Sequence, residues 1–348
     1  MASSKQIRPS VTALAAPASA GTYFQTLIGL LVAFGMLCAG LLIYANRDGE
    51  LPPAPLTAEV SFNEKAQFIR SMDGRNFDII AAGSSLAVND LTSDVLLEEI
   101  PSHPSLINIA AFGLRVSETR LWLNHVMRRF GNPKLVVTIL SPQDFQAESG
   151  WYEPADPFLD GYLAGKFQPS LYFDNFSLVT FMNLSWHMKQ DRTSRRAYSS
   201  LDFDRDGGVP LDMGFPNVDI SRWNYVFHYS MMDDGQYKAL DRMAGELKSN
   251  GISLVCVFPP TRRAGRAREN AVEAEKYRSR VAEILKKNGQ TLINLDITLD
   301  LDDSHFADYI HLNARGAQAV SQALGRDLAS MTALTTNSVV PRRLEEHR

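Results

Sequence analysis

Phe77–Ser85 reads FDIIAAGSS, a short apolar run followed by one glycine and two serines. A continuous apolar run that ends on a turn residue is the pattern of a strand buried on both faces. Such strands belong to parallel sheets covered by helices on either side. Working outward, the pattern recurs at Ser105–Ala110 (SLINIA) and at Lys134–Leu140 (KLVVTIL), the strongest and most β-branched of the set. It recurs again at Ile252–Phe258 (ISLVCVF), stopped by Pro259 and Pro260, and at Thr291–Leu295. Helical stretches lie between. Ser117–Phe130 carries Leu121, Val126 and Phe130 as apolar positions and is broken by Gly131-Asn132-Pro133. Tyr237–Lys248 is closed by Asn250-Gly251, and Ala264–Lys287 by Asn288-Gly289. Asn313 has the chemistry of an N-cap for a last helix reaching about Met331. Strands alternating with helices predict an α/β domain built on a parallel sheet with helices on both faces. Ligands in such sheets bind at the carboxyl ends of the strands, so the residues just after each strand are the informative ones.

Upstream, Thr26–Ala45 (TLIGLLVAFGMLCAGLLIYA) contains no charge and no proline. About twenty apolar residues at a rise of 1.5 Å cross a hydrocarbon core of roughly 30 Å. Tyr23 and Tyr44 sit near its two ends, where interfacial aromatics are favoured. A cleaved signal peptide is the competing reading, but its apolar region is usually shorter and is followed by a small-x-small cleavage site. None follows cleanly here, so the stretch is read as an uncleaved anchor in the inner (cytoplasmic) membrane. Lys5 and Arg8 precede it, while Arg47 is offset by Asp48 and Glu50. The positive-inside rule then places the N-terminus in the cytoplasm and the remainder in the periplasm or outside the cell. The expected organisation is a cytoplasmic segment 1–25, a transmembrane helix 26–45, a proline-stiffened linker 46–58, an α/β domain 59–333 and a flexible tail 334–348. Cys38 in the span and Cys256 in the exported part cannot pair within one chain.

Composition narrows the function classes. With 45% hydrophobic and 21% charged residues, the 348-residue chain is globular in character rather than collagenous, coiled or disordered. Lys and Arg number 35 against 39 Asp and Glu, a net charge of −4, which argues against a general nucleic-acid binder. Two cysteines exclude a disulfide scaffold and a four-cysteine zinc site.

Residues 146–235 interrupt the alternation and are rich in aromatics, Asp, Gly and Pro. A long insertion between two strands is a candidate lid or substrate-binding subdomain. Trp151 and Tyr152 open it and are the expected substrate-binding aromatics; most of the others are expected to form the insertion's own core.

Three sets of residues carry chemistry. Ser84 and Ser85 follow a strand, where a serine can present both a hydroxyl nucleophile and a backbone N–H for an oxyanion. The plain alternative is a turn or helix cap. Asp308-Tyr309-Ile310-His311 precedes the last helix, with His311 as a possible general base and Asp308 to orient it. Asp302, Asp303, His305, Asp308 and His311 offer a second option, a metal site. Asp202-Phe203-Asp204-Arg205-Asp206-Gly207 imitates the start of a calcium loop, but its twelfth position is Met213, so an Asp-Gly turn is expected.

The order of these blocks resembles the SGNH/GDSL hydrolase superfamily over about residues 76–330: strand and Gly-Ser-Ser, then Gly113, then Ser-Pro-Gln-Asp at 141–144, then Asp-x-x-His. The resemblance implies a three-layer, flavodoxin-like α/β fold with an inserted subdomain. It implies Ser85 as nucleophile, Asp308 and His311 as its partners, and an oxyanion hole from Ser85, Gly113 and Gln143. It implies no cofactor and no metal. Gln143 stands where the family has asparagine, and Pro142 removes a backbone donor. The anchor and the Gly-Ser-Ser form are similar to the membrane-anchored branch that includes alginate O-acetyltransferases and the lipoteichoic-acid D-alanylation protein. That branch implies acyl transfer, O-acetylation in the first place, to an exported polysaccharide beside a membrane-bound O-acyltransferase partner. The alternatives are a carbohydrate esterase using the same residues and a catalytically silent glycan-binding or assembly module.

Overall fold

The structure is a computed structural model that describes residues 20–47, 54–57, 59–72, 74–148, 150, 152–174, 201, 203–211 and 227–337. The chain divides into two compact units at Pro52–Pro53. The first contains α1 (Ala20–Arg47), 28 residues with a mean hydropathy of 2.5 over its most apolar window and none of that window buried. It is long and apolar enough to cross a membrane, as an anchor or as a signal sequence.

The second unit holds five parallel strands: β1 (Ile79–Gly83), β2 (Leu106–Asn108), β3 (Leu135–Ile139), β4 (Ser253–Phe258) and β5 (Thr291–Asn294). Their order is β2-β1-β3-β4-β5, the flavodoxin-like order of a doubly wound sheet. This is the parallel α/β architecture that the alternation of strand and helix implies. β1 is buried at every position and β3 and β4 at all but their first, which is why they read as unbroken apolar runs.

Alternate strand residues face two layers. Ile79, Ala81, Val137, Ile139, Val255 and Val257 pack with the short helices α2 (Ser85–Asn89) and α3 (Ser93–Glu98) and with the final helix, Ala314–Asn337. On the remaining contacts, α4 (Val116–Phe130) packs on β1, α6 (Asp234–Ser249) on β4 and α7 (Ala271–Lys287) on β5. Between α4 and α6 in the chain lies α5 (Asp156–Leu163), which packs on α4. Ala314–Asn337 closes the series as α8.

Several boundaries differ from expectation. The linker expected over 46–58 ends earlier. Leu56 is fully buried, and the side chain of Asn63 accepts the N–H groups of Leu56 and Thr57 at 3.0 and 2.9 Å. Asn63 belongs to a helix at Val60–Ser71 that has no strong apolar stripe and was not expected. The helix expected over 264–287 is two, because Asn270 accepts from the N–H groups of Val272 and Glu273 and so starts a new helix. The last helix runs on to Asn337, into the segment expected as a tail.

The insertion also departs from a free-standing subdomain: its described parts belong to the same unit as the sheet. β2 is an edge strand whose backbone needs partners. Asp206 O accepts from Asn108 N at 2.7 Å, and Val209 N donates to Val88 O at 2.8 Å. Lys65, wholly buried, donates to the carbonyls of Asn108 and Gly207, and burial pulls its ammonium down to about 7. Gly207 has a φ of +98°, and a Cβ there would lie 2.6 Å from Asn108 O. Only glycine fits that turn. The calcium-like stretch is accordingly an Asp-Gly turn, with Asp204 accepting from the N–H groups of Asp206 and Gly208. Asp202 lies outside the described residues.

Candidate active site

β1 ends at Gly83, whose φ is +132° and where a Cβ would press on Thr138, Ala87 and the carbonyl of Ile139 at 3.2–3.3 Å. A glycine is required for the chain to turn this close to β3. Ser84 is extended and Ser85 opens α2, so the nucleophile candidate stands at the carboxyl end of β1, part-buried. The loop before α8 supplies its partner. His311 Nε2 lies 2.8 Å from Ser85 Oγ, and His311 Nδ1 lies 2.8 Å from Asp308 Oδ2. The serine hydroxyl can donate to Nε2 only when the proton of the neutral ring sits on Nδ1, facing Asp308. Asp308 Oδ1 accepts from the N–H groups of Ile310 and His311 at 2.9 and 2.8 Å, which fixes the carboxylate. Burial opposes its charge, but the hydrogen bond and charge of His311 and the two backbone donors outweigh it. The carboxyl is held below its ordinary value. The His311 side chain is 17% exposed and that of Asp308 8%. The pair is therefore mostly shielded, yet the ring is reachable.

The structure brings Ser85, Asp308 and His311 into one relay. Gly113 lies in the turn beyond β2 with a φ of +74°, two residues after Ala111, whose N–H donates to Gly83 O at 3.2 Å. Gln143 lies in a single 3₁₀ turn, Pro142–Phe145, after β3. Its side-chain N–H donates to the Tyr309 hydroxyl at 3.1 Å, and its carbonyl accepts from Arg115 at 2.6 Å. One of the two amide N–H groups is thus directed at Tyr309 in the His311 loop.

Of the two expected substrate-binding residues, only Tyr152 is described, and it is buried away from the site. Trp151 lies outside the described residues. Tyr152 is 1% exposed, and its ring packs edge-on against Phe62 at 5.3 Å between centroids. Phe62 in turn packs against Trp122. A ring this large is worth more in the core than at a rim. The helix that buries it, Val60–Ser71, had no signal in the sequence.

Two carboxyls to which the sequence reading assigned no role stand near the relay: Asp144, the last residue of the Ser-Pro-Gln-Asp block, and Asp90. Asp144 is buried, accepts from both the N–H and hydroxyl of Ser141 at 2.7 and 3.0 Å, and is hydrogen-bonded by the Ser84 hydroxyl. It joins the turn after β3 to the residue before Ser85, and burial pushes its carboxyl up. Asp90 follows α2 and is wholly buried. Residues proposed for a metal are otherwise engaged: Asp302 with Ser304 and His305, and Asp303 with Arg262. No group of three metal-ligating side chains occurs among the described residues.

A cleft of about 430 Å³, counting its open mouth, adjoins the relay. Leu86, Pro142 and Ile310 line it, and these are the immediate neighbours of Ser85, Gln143 and His311. Phe227 and Phe258 add apolar wall, while Glu269, Arg278 and Asp296 line it as ion-paired groups.

By sequence the chain matches no known protein family and no curated protein. Solved structures to which it is similar include a carbohydrate acetylesterase from Sinorhizobium meliloti, at 9% identity and a TM-score of 0.38, covering 74% of this chain and 99% of that one. A GDSL-like lipase from Bacteroides thetaiotaomicron gives 10% identity and a TM-score of 0.39, covering 78% and 98%. An acetyl xylan esterase gives 12% and 0.36, covering 75% and 99%. Likenesses at this level bear no weight for activity; the chemistry is read from the distances around Ser85.

Proposed function

We propose that the chain is a membrane-anchored, serine-dependent acyltransferase of the SGNH type, moving an acyl group, acetyl in the first place, onto an exported polysaccharide. One observation carries the reading: the relay from Ser85 through His311 to Asp308, two contacts of 2.8 Å each. His311 takes the Ser85 proton as Oγ attacks the carbonyl carbon of the acyl donor. The electron pair of the C=O bond moves onto oxygen. The N–H groups of Ser85 and Gly113, with the second amide N–H of Gln143, receive that oxyanion. Collapse expels the donor's leaving group, which takes the proton back from His311, and Ser85 is left as an acyl ester. A sugar hydroxyl then gives its proton to His311 and attacks the ester; collapse breaks the bond to Ser85 Oγ, which takes that proton from His311, releasing the acylated glycan and restoring the Ser85 hydroxyl. Asp308 holds the ring in the required tautomer and stabilises the imidazolium at both steps.

The cleft beside Leu86, Pro142 and Ile310 is the place for the acyl group in this reading, since apolar walls exclude the water that would compete with a sugar. The apolar helix Ala20–Arg47 serves as the anchor, N-terminus in the cytoplasm, with a membrane-bound O-acyltransferase as the source of acyl groups on the outer side. The same residues hydrolyse the ester when water takes the place of the sugar. The test uses the full-length chain in detergent micelles with p-nitrophenyl acetate, with and without envelope oligosaccharides. Transfer predicts faster p-nitrophenol release and acetylated glycan by mass when the correct acceptor is present. Acetate alone, at a rate no acceptor changes, makes the protein an esterase. No Ser85-dependent turnover leaves the silent binding module.

A further inference from the structure

We propose that Asp90 is a positioning residue for this site, a buried carboxyl that ties the helix headed by Ser85 to the loop that carries His311. The inference rests on the reading of Ser85 and His311 as nucleophile and base. Asp90 caps α2, its N–H donating to Leu86 O at 2.8 Å, so it rides on the five-residue helix that begins at Ser85. Its Oδ1 accepts the N–H of Leu312, the residue after His311, at 2.9 Å. The two partners of the relay come from positions 226 residues apart. Asp308 orients the His311 ring, but nothing in that pair sets the distance from the ring to α2. The bond from Leu312 to Asp90 does, with α2 as a short rigid lever.

The setting makes the link unusual. Asp90 is 0% exposed, among Leu86, Ala87, Val88, Leu91 and Leu312 of the apolar core. Its second oxygen, Oδ2, finds no partner among the described residues. The titratable groups that act on it are His311, which favours its charge, and Asp308, which opposes it. Burial outweighs both, together with the Leu312 N–H, and pushes the carboxyl up to about 8. At neutral pH Asp90 is therefore a neutral acceptor, and a neutral group beside His311 leaves that ring free to act as a base. Above about pH 8 a second anion appears near Asp308 in an apolar core; the Leu312 N–H binds it more strongly, but burial and Asp308 oppose the charge and strain the packing of α2 against the His311 loop.

The test compares full-length wild type, Asp90→Asn and Asp90→Ala for acetylation of Ser85 by p-nitrophenyl acetate between pH 6 and pH 10. Asp90→Ala should slow acylation about 100-fold with KM little changed, since misplacing a reacting group by an ångström costs that much. Asp90→Asn keeps an acceptor for Leu312 and should restore most of the rate. Wild type should lose rate above about pH 8, where Asp90→Asn keeps its plateau. Stability gives an independent reading. A carboxyl whose folded value is raised binds its proton in the folded state, so wild-type stability falls as pH rises between about 4 and 8. The melting temperature of wild type minus that of Asp90→Asn should fall across that window. Equal alkaline limbs in wild type and Asp90→Asn, or a flat difference in melting temperature, would overturn the inference even if Asp90→Ala fails to fold. Absence of any Ser85 adduct in wild type would instead overturn the reading of Ser85 and His311, and the melting series alone would then decide the buried brace.

Discussion

The turn after β1 and the turn after β3 lie at the same edge of adjacent strands, yet they solve different problems. The first, Gly83-Ser84-Ser85, turns tightly so that one hydroxyl reaches His311. The second, Ser141-Pro142-Gln143-Asp144, spends its carboxylate inward on Ser141 and Ser84, and its amide on Tyr309. One turn presents a reacting group; the other holds that presentation in place. The lesson is that neighbouring blocks of one apparent motif need not share a role, and that substitutions in the two should fail in different ways.

The largest difference should come from the first turn. Ser85→Ala should abolish the acyl adduct, and His311→Ala should lower kcat about 10⁴-fold or more, with the fold intact by circular dichroism. Next comes Asp308→Asn, which keeps the shape but weakens the hold on the ring; kcat should fall about 10³- to 10⁴-fold in steady-state assays. The second turn should respond in stability first. Asp144→Ala leaves the Ser141 N–H and the Ser84 hydroxyl without their acceptor, a cost of about 2–3 kcal/mol by denaturant titration. If Asp144→Ala keeps full stability and loses all activity, the contrast between the turns is wrong. Gln143→Ala should lower kcat only about tenfold, less than the 10²–10³ of a committed oxyanion donor, because its amide is shared with Tyr309.

The smallest effect belongs to the opposite end of β1, away from the chemistry. Hydrogen bonds from Lys134 and from the N–H and hydroxyl of Ser105 hold the Asp78 carboxyl down to about 2. A depressed carboxyl stabilises the fold above its unfolded value and loses that contribution as pH falls. The melting-temperature gap between wild type and Asp78→Asn should therefore close between about pH 4 and pH 2, while activity at pH 7 stays put.

The sheet was legible in the sequence because strands buried on both faces leave unbroken apolar runs, and Lys134–Leu140 and Ile252–Phe258 are such runs. Ser85 is suggested by its place at a strand end, but it and His311 stand out together only through the order of blocks and the resemblance that order carries; each motif alone also reads as a turn or a surface loop. The helix at Val60–Ser71 was not, since Asn63, Glu64, Lys65 and Gln67 hide its buried face behind polar residues. Lys65 is the extreme case: a residue type that signals solvent lies at 0% exposure because two carbonyls at the sheet's edge need a donor. Asp90 was passed over, and Asp144 reads only as the end of its block, for a related reason. A lone Asp after a short helix or a proline reads as a surface turn, and only the three-dimensional partner, Leu312 N or Ser84, gives it a role. Tyr152 failed in the opposite sense, because an aromatic at the start of an insertion looks exposed until a helix from far upstream covers it.

The most direct test of the relay is intact mass of the full-length chain after brief exposure to p-nitrophenyl acetate, beside Ser85→Ala and His311→Ala. A single acetyl adduct, mapped to Ser85 and absent from both variants, is the predicted result. An adduct that persists in Ser85→Ala, or a folded wild type that forms none, would contradict an acyl-serine at this position.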